Sequence, residues 1–424
     1  MMPLDFLECM FWYVVFRGYQ MAVAFVTWLL PTSCAKRIGR SEFAKYKIKI
    51  TTDYDGDGTS LNNKTTSLIR DEEKLIKCEV VVHNAKLFQR FQVDDILGVG
   101  ESYMEGWWDS DDLLEVIRIG LSMPASLTEV LGDRYLNAVN KQTTLQSLAV
   151  ARVHYCLSPE LWEAMLGPTM NYTCGYWKKD THTLEEAQIN KMDLVAKKLK
   201  LKPGMKVLDL GCGWGSAAHY MATHHNVSVV AYNNCPEQVG YCRRKCKGLD
   251  VTIHCDDYRN ATGTFDAVYS IGLFEHIGHT NGKGYFQVVH RCLTQEGVAL
   301  VQTTVSADNE IRTCRWSDKY IFPGGEFPYS HEMLSASKDF GFVLEDVHSF
   351  GRSYVKTLAE WHRNFNAHWD ELEPKFASLV EGKFYRMWNF YLLAGLAHYD
   401  TRLAQLVQFT YTRLGRKEEY VSVR

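Results

Sequence analysis

Three glycines at alternate positions, Gly211, Gly213 and Gly215, stand just behind Asp209 in LDLGCGWGS (208–216). Glycine has no Cβ and tolerates positive φ, so such a run lets backbone lie against a ligand, and a helix starting there points amide donors at it. The flanks agree with a strand-to-helix turn: KVLDL is apolar like a buried strand, and SAAHYMATHH has helix-forming composition. The spacing is G-x-G-x-G, unlike the G-x-G-x-x-G of dinucleotide sites. Asp209 beside the loop would repel a pyrophosphate and attract a cation. S-adenosylmethionine (SAM), with its sulfonium and ammonium, fits that demand. The plain alternative is an ordinary tight turn in an α/β domain, and the residues downstream must decide.

The elements around the loop supply a rim for it. EEAQINKMDLVAKKLKL reads as an amphipathic helix closed by Pro203-Gly204. Strands then follow at KVLDL, VSVVAYNN (227–234), VTIHCDDY (251–258), FDAVYSIGLFEHI (265–277) and GVALVQTTV (297–305). Five apolar strands alternating with helices specify a doubly wound parallel sheet with ligands at the carboxyl ends of its strands. That places Asn233, Asp256, Asp257 and Gly272 to His276 on one rim with the glycines. Asn233-Asn234 stands where a ribose-binding carboxylate is usual, so amides or Gln238 would hold the ribose. Asp256-Asp257 is placed to accept from an adenine amino group. Each of these could be a solvated loop-end residue, but together they favour a SAM site.

The rest of the chain bounds the reading. Its 424 residues allow two domains, divided here at 1–150 and 151–424, and a net charge of -3 gives no nucleic-acid signature. Twelve cysteines lie scattered without C-x-x-C pairs, which argues against a structural zinc site or a disulfide framework and for a reducing, cytoplasmic setting. Sequons at Asn63, Asn171, Asn226 and Asn260 are then chance tripeptides. Asp53, Asp55, Asp57 and Gly58 occupy calcium-loop places, yet the twelfth place is Lys64, so a solvated loop is expected. KCEVVVHN (77–84) reads as a strand, and VDDILGVGESYMEGWW as a Gly-punctuated loop leading to a helix from about Asp111. MFWYVVFRGYQMAVAFVTWLL (10–30) approaches a bilayer span but is interrupted by Arg17, Gly18 and Gln20. A basic run, Lys36, Arg37, Arg40, Lys45, Lys47 and Lys49, follows it. An apolar helix with such a run suits a peripheral place on an anionic membrane surface; a buried helix followed by a solvated strand is the alternative.

LGVGESYMEGWW, VLDLGCGWGS, EQVGYCRRKCKGLDVTI, DDYR, FDAVYSIGLFEHIG and KYIFPGGEFP, in this order, resemble the cyclopropane-fatty-acyl-phospholipid synthase family, from about Leu97 to near the C-terminus. The resemblance implies a class I SAM-methyltransferase fold, a mostly parallel seven-stranded sheet with a smaller N-terminal domain. It implies transfer of a SAM methyl to the cis double bond of an unsaturated phospholipid acyl chain, then proton loss and ring closure with bound bicarbonate as base. It leaves a homodimer open. Cys174, Glu275, Tyr354 and two positions in VQTT (301–304) would form the bicarbonate site, and Tyr172 would join the cofactor set. Water would trap the carbocation, so aromatic faces must shield it; Tyr172, Tyr176, Trp177 and Phe274 are the candidates.

The chain departs from the pattern in three places. Where the family commonly has His-Thr-Ile, it has Gln302-Thr303-Thr304, and a carboxamide carries no charge and exchanges no proton near neutrality. Cys156 replaces an Asp in HYCLSPELW, and AYNNCPEQ replaces a small-residue run. The nucleotide half is therefore expected intact and the deprotonating half altered. Cyclopropane formation leads; a methyl-branched or methylene-bearing chain, N-methylation of a small amine, and a SAM- or lipid-binding protein without activity are the competing outcomes.

Overall fold

The computed structural model describes residues 13–24, 45–52, 76–123, 126–138, 140–143, 147, 154–307 and 314–424. The calcium-like loop and the first half of the basic run lie outside them. The chain forms two compact units: Met1–Val139 with Thr313–Lys319 and Asp370–Thr401, and Asn140–Arg312 with Tyr320–Trp369 and Arg402–Arg424.

The first unit carries strands β1 (Ile48–Thr52), β2 (Cys78–Val82) and β3 (Trp108–Ser110), with β1 parallel and β3 antiparallel to β2. Helices α1 (Leu87–Met104), α2 (Leu113–Ser122) and α3 (Leu127–Asn137) follow the same segment. Val80, Val82, Phe88, Trp108 and Ile119 close a small core. The Gly-punctuated stretch is helical from 96 to 104, after a kink at Asp95 (φ 51°), not the expected loop. Its Gly100 is there for close packing: a Cβ would lie 2.5 Å from the Trp316 ring. Residues 13–24 are helical, with Phe16 and Gln20 buried four apart and Tyr13, Val14 and Met21 exposed.

The second unit is the expected doubly wound sheet. Its strands are β4 (Lys206–Leu210), β5 (Ser228–Asn233), β6 (Val251–Cys255), β7 (Phe265–Ile271), β8 (Leu293–Ser306), β9 (Phe342–Ser349) and β10 (Ala404–Arg413). Their order is β6-β5-β4-β7-β8-β10-β9, with β10 antiparallel to both its neighbours. Period-two alternation feeds two layers: Leu208, Leu210 and Val268 pack with Tyr285, Phe286 and Val289, while Val207, Ala267 and Tyr269 pack with Val195, Ala218 and Met221. The helices named by these residues are α8 (Gly282–Cys292) on one face, and α5 (Leu184–Lys198) and α6 (Ser216–His225) on the other. Helices α4 (Pro159–Leu166), α7 (Pro236–Lys245), α9 (Ser330–Lys338) and α10 (Arg352–Ala367) complete the named set. The fourth expected strand stops at Ile271, and Phe274–His276 is a 3-10 turn. Strand order reverses between β4 and β7, so a crevice opens there at the carboxyl ends.

Candidate active site

One cavity fills that crevice. It is lined by Asp209, the 211–214 loop, Asn233, Gln238, Asp256, Asp257 and Gly272, and also by Tyr155, Tyr172 and His276. Eight of the nine residues expected from the sequence to hold a cofactor line it, and the ninth, Gly215, caps α6 behind the loop. Gly211, Gly213 and Gly215 have φ of 86°, 52° and 77°. A Cβ at Gly215 would meet Cys242 Sγ at 2.8 Å, whereas one at Gly213 would meet no protein atom within 4 Å. The loop is thus packed behind and open in front, the arrangement a ligand needs.

The wall is braced from below. Asn233 Nδ2 donates to Gly213 O and to Gln238 Oε1, both at 2.9 Å, while Asn233 Oδ1 accepts from Cys235 N at 3.0 Å. Asn233 therefore spends its amide on the loop rather than leaving it for a ribose. Asp256 Oδ1 accepts from Asp257 N and Asn260 Nδ2, and Asp257 Oδ1 from Arg259 N. Asp209 is buried with the Tyr269 hydroxyl donating to Oδ2 at 2.8 Å. Burial pushes its carboxyl up to about 7, and a bound cation would restore the charge.

The residues expected to hold the base are carried by separate segments: Glu275 by the 3-10 turn, Gln302 by β8, Tyr354 by α10 and Cys174 by the stretch before α5. Thr303 Oγ1 donates to Glu275 Oε2 at 2.8 Å, and enclosure pushes this carboxyl up to about 7. Cys174 is buried, its thiol pushed up by desolvation, with Sγ 3.8 Å from Thr357 Oγ1. Gln302 faces Gln408 across the β8–β10 register and accepts from its Nε2 at 2.9 Å. Gln302 Nε2 and Gln408 Oε1 are buried without partners. Tyr354 lies on α10 with its ring 6.2 Å from that of Trp361.

The aromatic candidates separate. Tyr172 reaches the cavity. Tyr176 packs on His348 and Phe350, Trp177 donates to Thr357 Oγ1 beneath Lys356, and Phe274 belongs to the core with Tyr285. Beside Tyr172, the cavity wall is built from Tyr155, which the sequence did not single out, and from His276, the last residue of the expected rim segment. Tyr155 and His276 join at 2.9 Å, His154 and the Tyr172 hydroxyl at 3.0 Å, and Phe322 packs on both histidines. Burial lowers His154 to about 3 and His276 to about 4, so both rings are neutral at pH 7. His276 was expected on the rim as the end of the 272–276 segment, whereas His154 was not singled out and its only signal was the HYC segment that contains it. Lys191 was also missed. It is wholly buried, and its three N–H groups meet Asn171 Oδ1, Thr173 Oγ1 and Gln188 Oε1 at 3.2, 2.7 and 2.7 Å. Desolvation lowers it to about 7.

Comparison with known proteins follows the same outline. Residues 142–409 match the mycolic acid cyclopropane synthetase family. The cyclopropane-fatty-acyl-phospholipid synthase of Escherichia coli (strain K12) is 40% identical over 341 residues, 79% of this chain and 88% of that protein. Cyclopropane mycolic acid synthase 3 of Mycobacterium tuberculosis is 31% identical over 237 residues, 52% of this chain and 83% of its own. Among solved structures, mycolic acid cyclopropane synthase CmaA1 complexed with SAH and CTAB superposes with a TM-score of 0.59 at 28% identity, covering 63% of this chain and 98% of that one. Coclaurine N-methyltransferase reaches 0.62 at 22% identity, covering 75% and 99%, and shares the fold.

Proposed function

The chain belongs to the mycolic acid cyclopropane synthetase family, and from that premise we propose that it adds a methylene bridge to the cis double bond of unsaturated phospholipid acyl chains. It is a SAM-dependent methyltransferase of class I fold. The observation that carries the substrate is the 40% identity extending over 88% of the bacterial phospholipid enzyme.

SAM supplies an electrophilic methyl group to an alkene that is itself a weak nucleophile. The residues present fit it: Gly213 leaves room for close approach, and Asp209 offers a charge that a cation stabilises. Asn233 and Cys242 fix the loop by both donating to Gly213 O. Tyr155, Tyr172 and Trp214 line the cavity as an apolar wall that excludes water and presents π faces to a developing cation. Neutral His154 and His276 add no competing positive charge beside that wall.

Ring closure needs a proton acceptor. By family resemblance, Cys174, Glu275, Gln302 and Tyr354 would hold a bicarbonate. Two features of this chain fit an anion there: the unpartnered donor on Gln302, and Lys191 close enough to act electrostatically on Cys174. The acyl chain would be met at a membrane surface. No helix among the described residues is long and apolar enough to cross a membrane, and the exposed Val14 and Met21 offer an apolar face for resting on one.

The test is incubation of purified protein with SAM and liposomes of monounsaturated phospholipid, followed by mass spectrometry and proton NMR of the fatty acids. A gain of one CH2 with high-field cyclopropane protons is expected. Branch-methyl or olefinic methylene signals would mean that the amide at 302 diverts the proton loss to a chain carbon. Absence of any mass gain, with SAM binding demonstrated, would overturn the reading.

A further inference from the structure

We propose that Cys156, Cys235 and Glu237 form a site for a thiophilic divalent cation of the zinc class at the rim of the cofactor cavity. The fold brings the two cysteines together from 79 residues apart. Cys156 lies in the turn before α4, Cys235 caps the N-terminus of α7, and Glu237 occupies its first turn. Cys156 Sγ is 3.2 Å from Cys235 Sγ, Cys235 Sγ is 3.4 Å from Glu237 Oε2, and the three donor atoms lie within 4.8 Å of one another. A tetrahedral zinc with bonds of about 2.3 Å to sulfur and about 2.0–2.2 Å to oxygen sets ligand-to-ligand edges of roughly 3.5–3.8 Å. Three corners of that tetrahedron are therefore nearly in place, and rotation of the exposed Glu237 side chain closes the longest edge. Water would supply the fourth corner.

The charges point the same way. Burial, the neighbouring thiol and the Glu237 carboxylate all push Cys156 up, and burial leads for Cys235. A cation bound among these donors would offset the mutual repulsion that keeps both thiols protonated. Binding breaks two S–H bonds, forms two sulfur–metal bonds and one oxygen–metal bond, and releases two protons to solvent. Sequence spacing could not reveal this site, because neither cysteine has a ligand partner at short range. Cys235 itself lines the cavity, as does Tyr155 beside Cys156, so a bound ion would tie the 154–158 turn to α7 and brace the wall against which the cofactor lies.

The experiment uses the full chain, reduced and stripped of metal, titrated with Cd2+ and then with Zn2+ in competition. One equivalent is expected, with a thiolate-to-cadmium charge-transfer band that Zn2+ removes. C156S and C235S should each lose the band and weaken binding beyond the roughly 10–100-fold typical of outer-shell changes, while E237Q weakens it less. Unmutated protein gives an independent reading: Zn2+ should protect the half-buried Cys156, and not the exposed Cys255, from alkylation mapped by mass spectrometry. Unchanged stoichiometry in both serine variants, equal alkylation with and without Zn2+, or pairing of the two thiols as a disulfide under titration would overturn the site. Circular dichroism and SAM binding of each variant separate loss of the site from loss of the fold, and none of these readouts depends on turnover.

Discussion

Asp209 and Glu275 are two carboxyls that the fold holds near half-protonation at neutral pH, and each makes a prediction with a definite sign. Both are pushed up to about 7 by burial. A protonated Asp209 offers a cation nothing, and an ionised one attracts it. SAM affinity should therefore rise as pH increases through about 7, and D209N should bind about tenfold or more weakly with that dependence gone, since each pKa unit corresponds to ~1.4 kcal/mol. Isothermal titration at several pH values checks it; affinity falling with rising pH would remove Asp209 from the site. If Glu275 acts as a carboxylate, kcat should rise over the same interval, and E275Q should lose about a hundredfold or more in lipid methylation while retaining SAM binding. Full activity in E275Q would sink that assignment. The glycine loop and the acids at strand ends were legible because spacing along one chain encodes them. Lys191, Thr357 and the His154–Tyr172 pair were not, because their partners come from other elements and each, read alone, is an ordinary buried residue.

At the scale of elements, the 174–177 segment depends on α10. Thr357 Oγ1 accepts from Gly175 N at 3.1 Å and from Trp177 Nε1 at 3.0 Å, and donates to Ser353 O. Valine at 357 keeps the shape and removes the acceptor, leaving buried donors unpaired at about 1–3 kcal/mol each. T357V should lower the thermal midpoint and, because Cys174 rides on the same segment, reduce kcat more than SAM affinity. An unchanged midpoint measured by calorimetry would show that the segment is held elsewhere. The central parallel strands β4, β5, β7 and β8 were readable because they are mostly buried on both faces. β9 was not: its FVLEDVHS is mostly half-exposed at the sheet edge, so it carries no apolar run. The misread loop in α1 has the opposite cause, since its glycines answer to close packing, Gly98 against Arg90 O and Gly100 against the Trp316 ring, rather than to a turn.

At the scale of the whole molecule, a linear cut at 150 separates residues that the fold keeps together. The helix Phe384–Asp400 belongs to the first unit. There Arg386 reaches Asp109 at 2.8 Å and Trp108 O at 2.8 Å, Arg118 pairs with Asp400 at 2.6 Å, and the Tyr103 and Phe390 rings lie 5.8 Å apart. Deleting the N-terminal unit to test membrane attachment would therefore strand that helix, and point changes on residues 13–24 are the cleaner probe. Val14 and Met21 are 61% and 67% exposed, while Phe16 stacks on Tyr135 and holds the helix down. Aspartate at both exposed positions should leave the fold unchanged. Burying two such side chains in an interface contributes about 3 kcal/mol or more, roughly a hundredfold in partition. The V14D/M21D variant should thus float with anionic liposomes about a hundredfold less well and show a raised KM for liposomal lipid, with kcat on detergent-dispersed lipid unaltered. Equal flotation would mean that the apolar face is not how this enzyme finds its substrate, and equal loss on dispersed lipid would place the two residues in folding rather than in attachment.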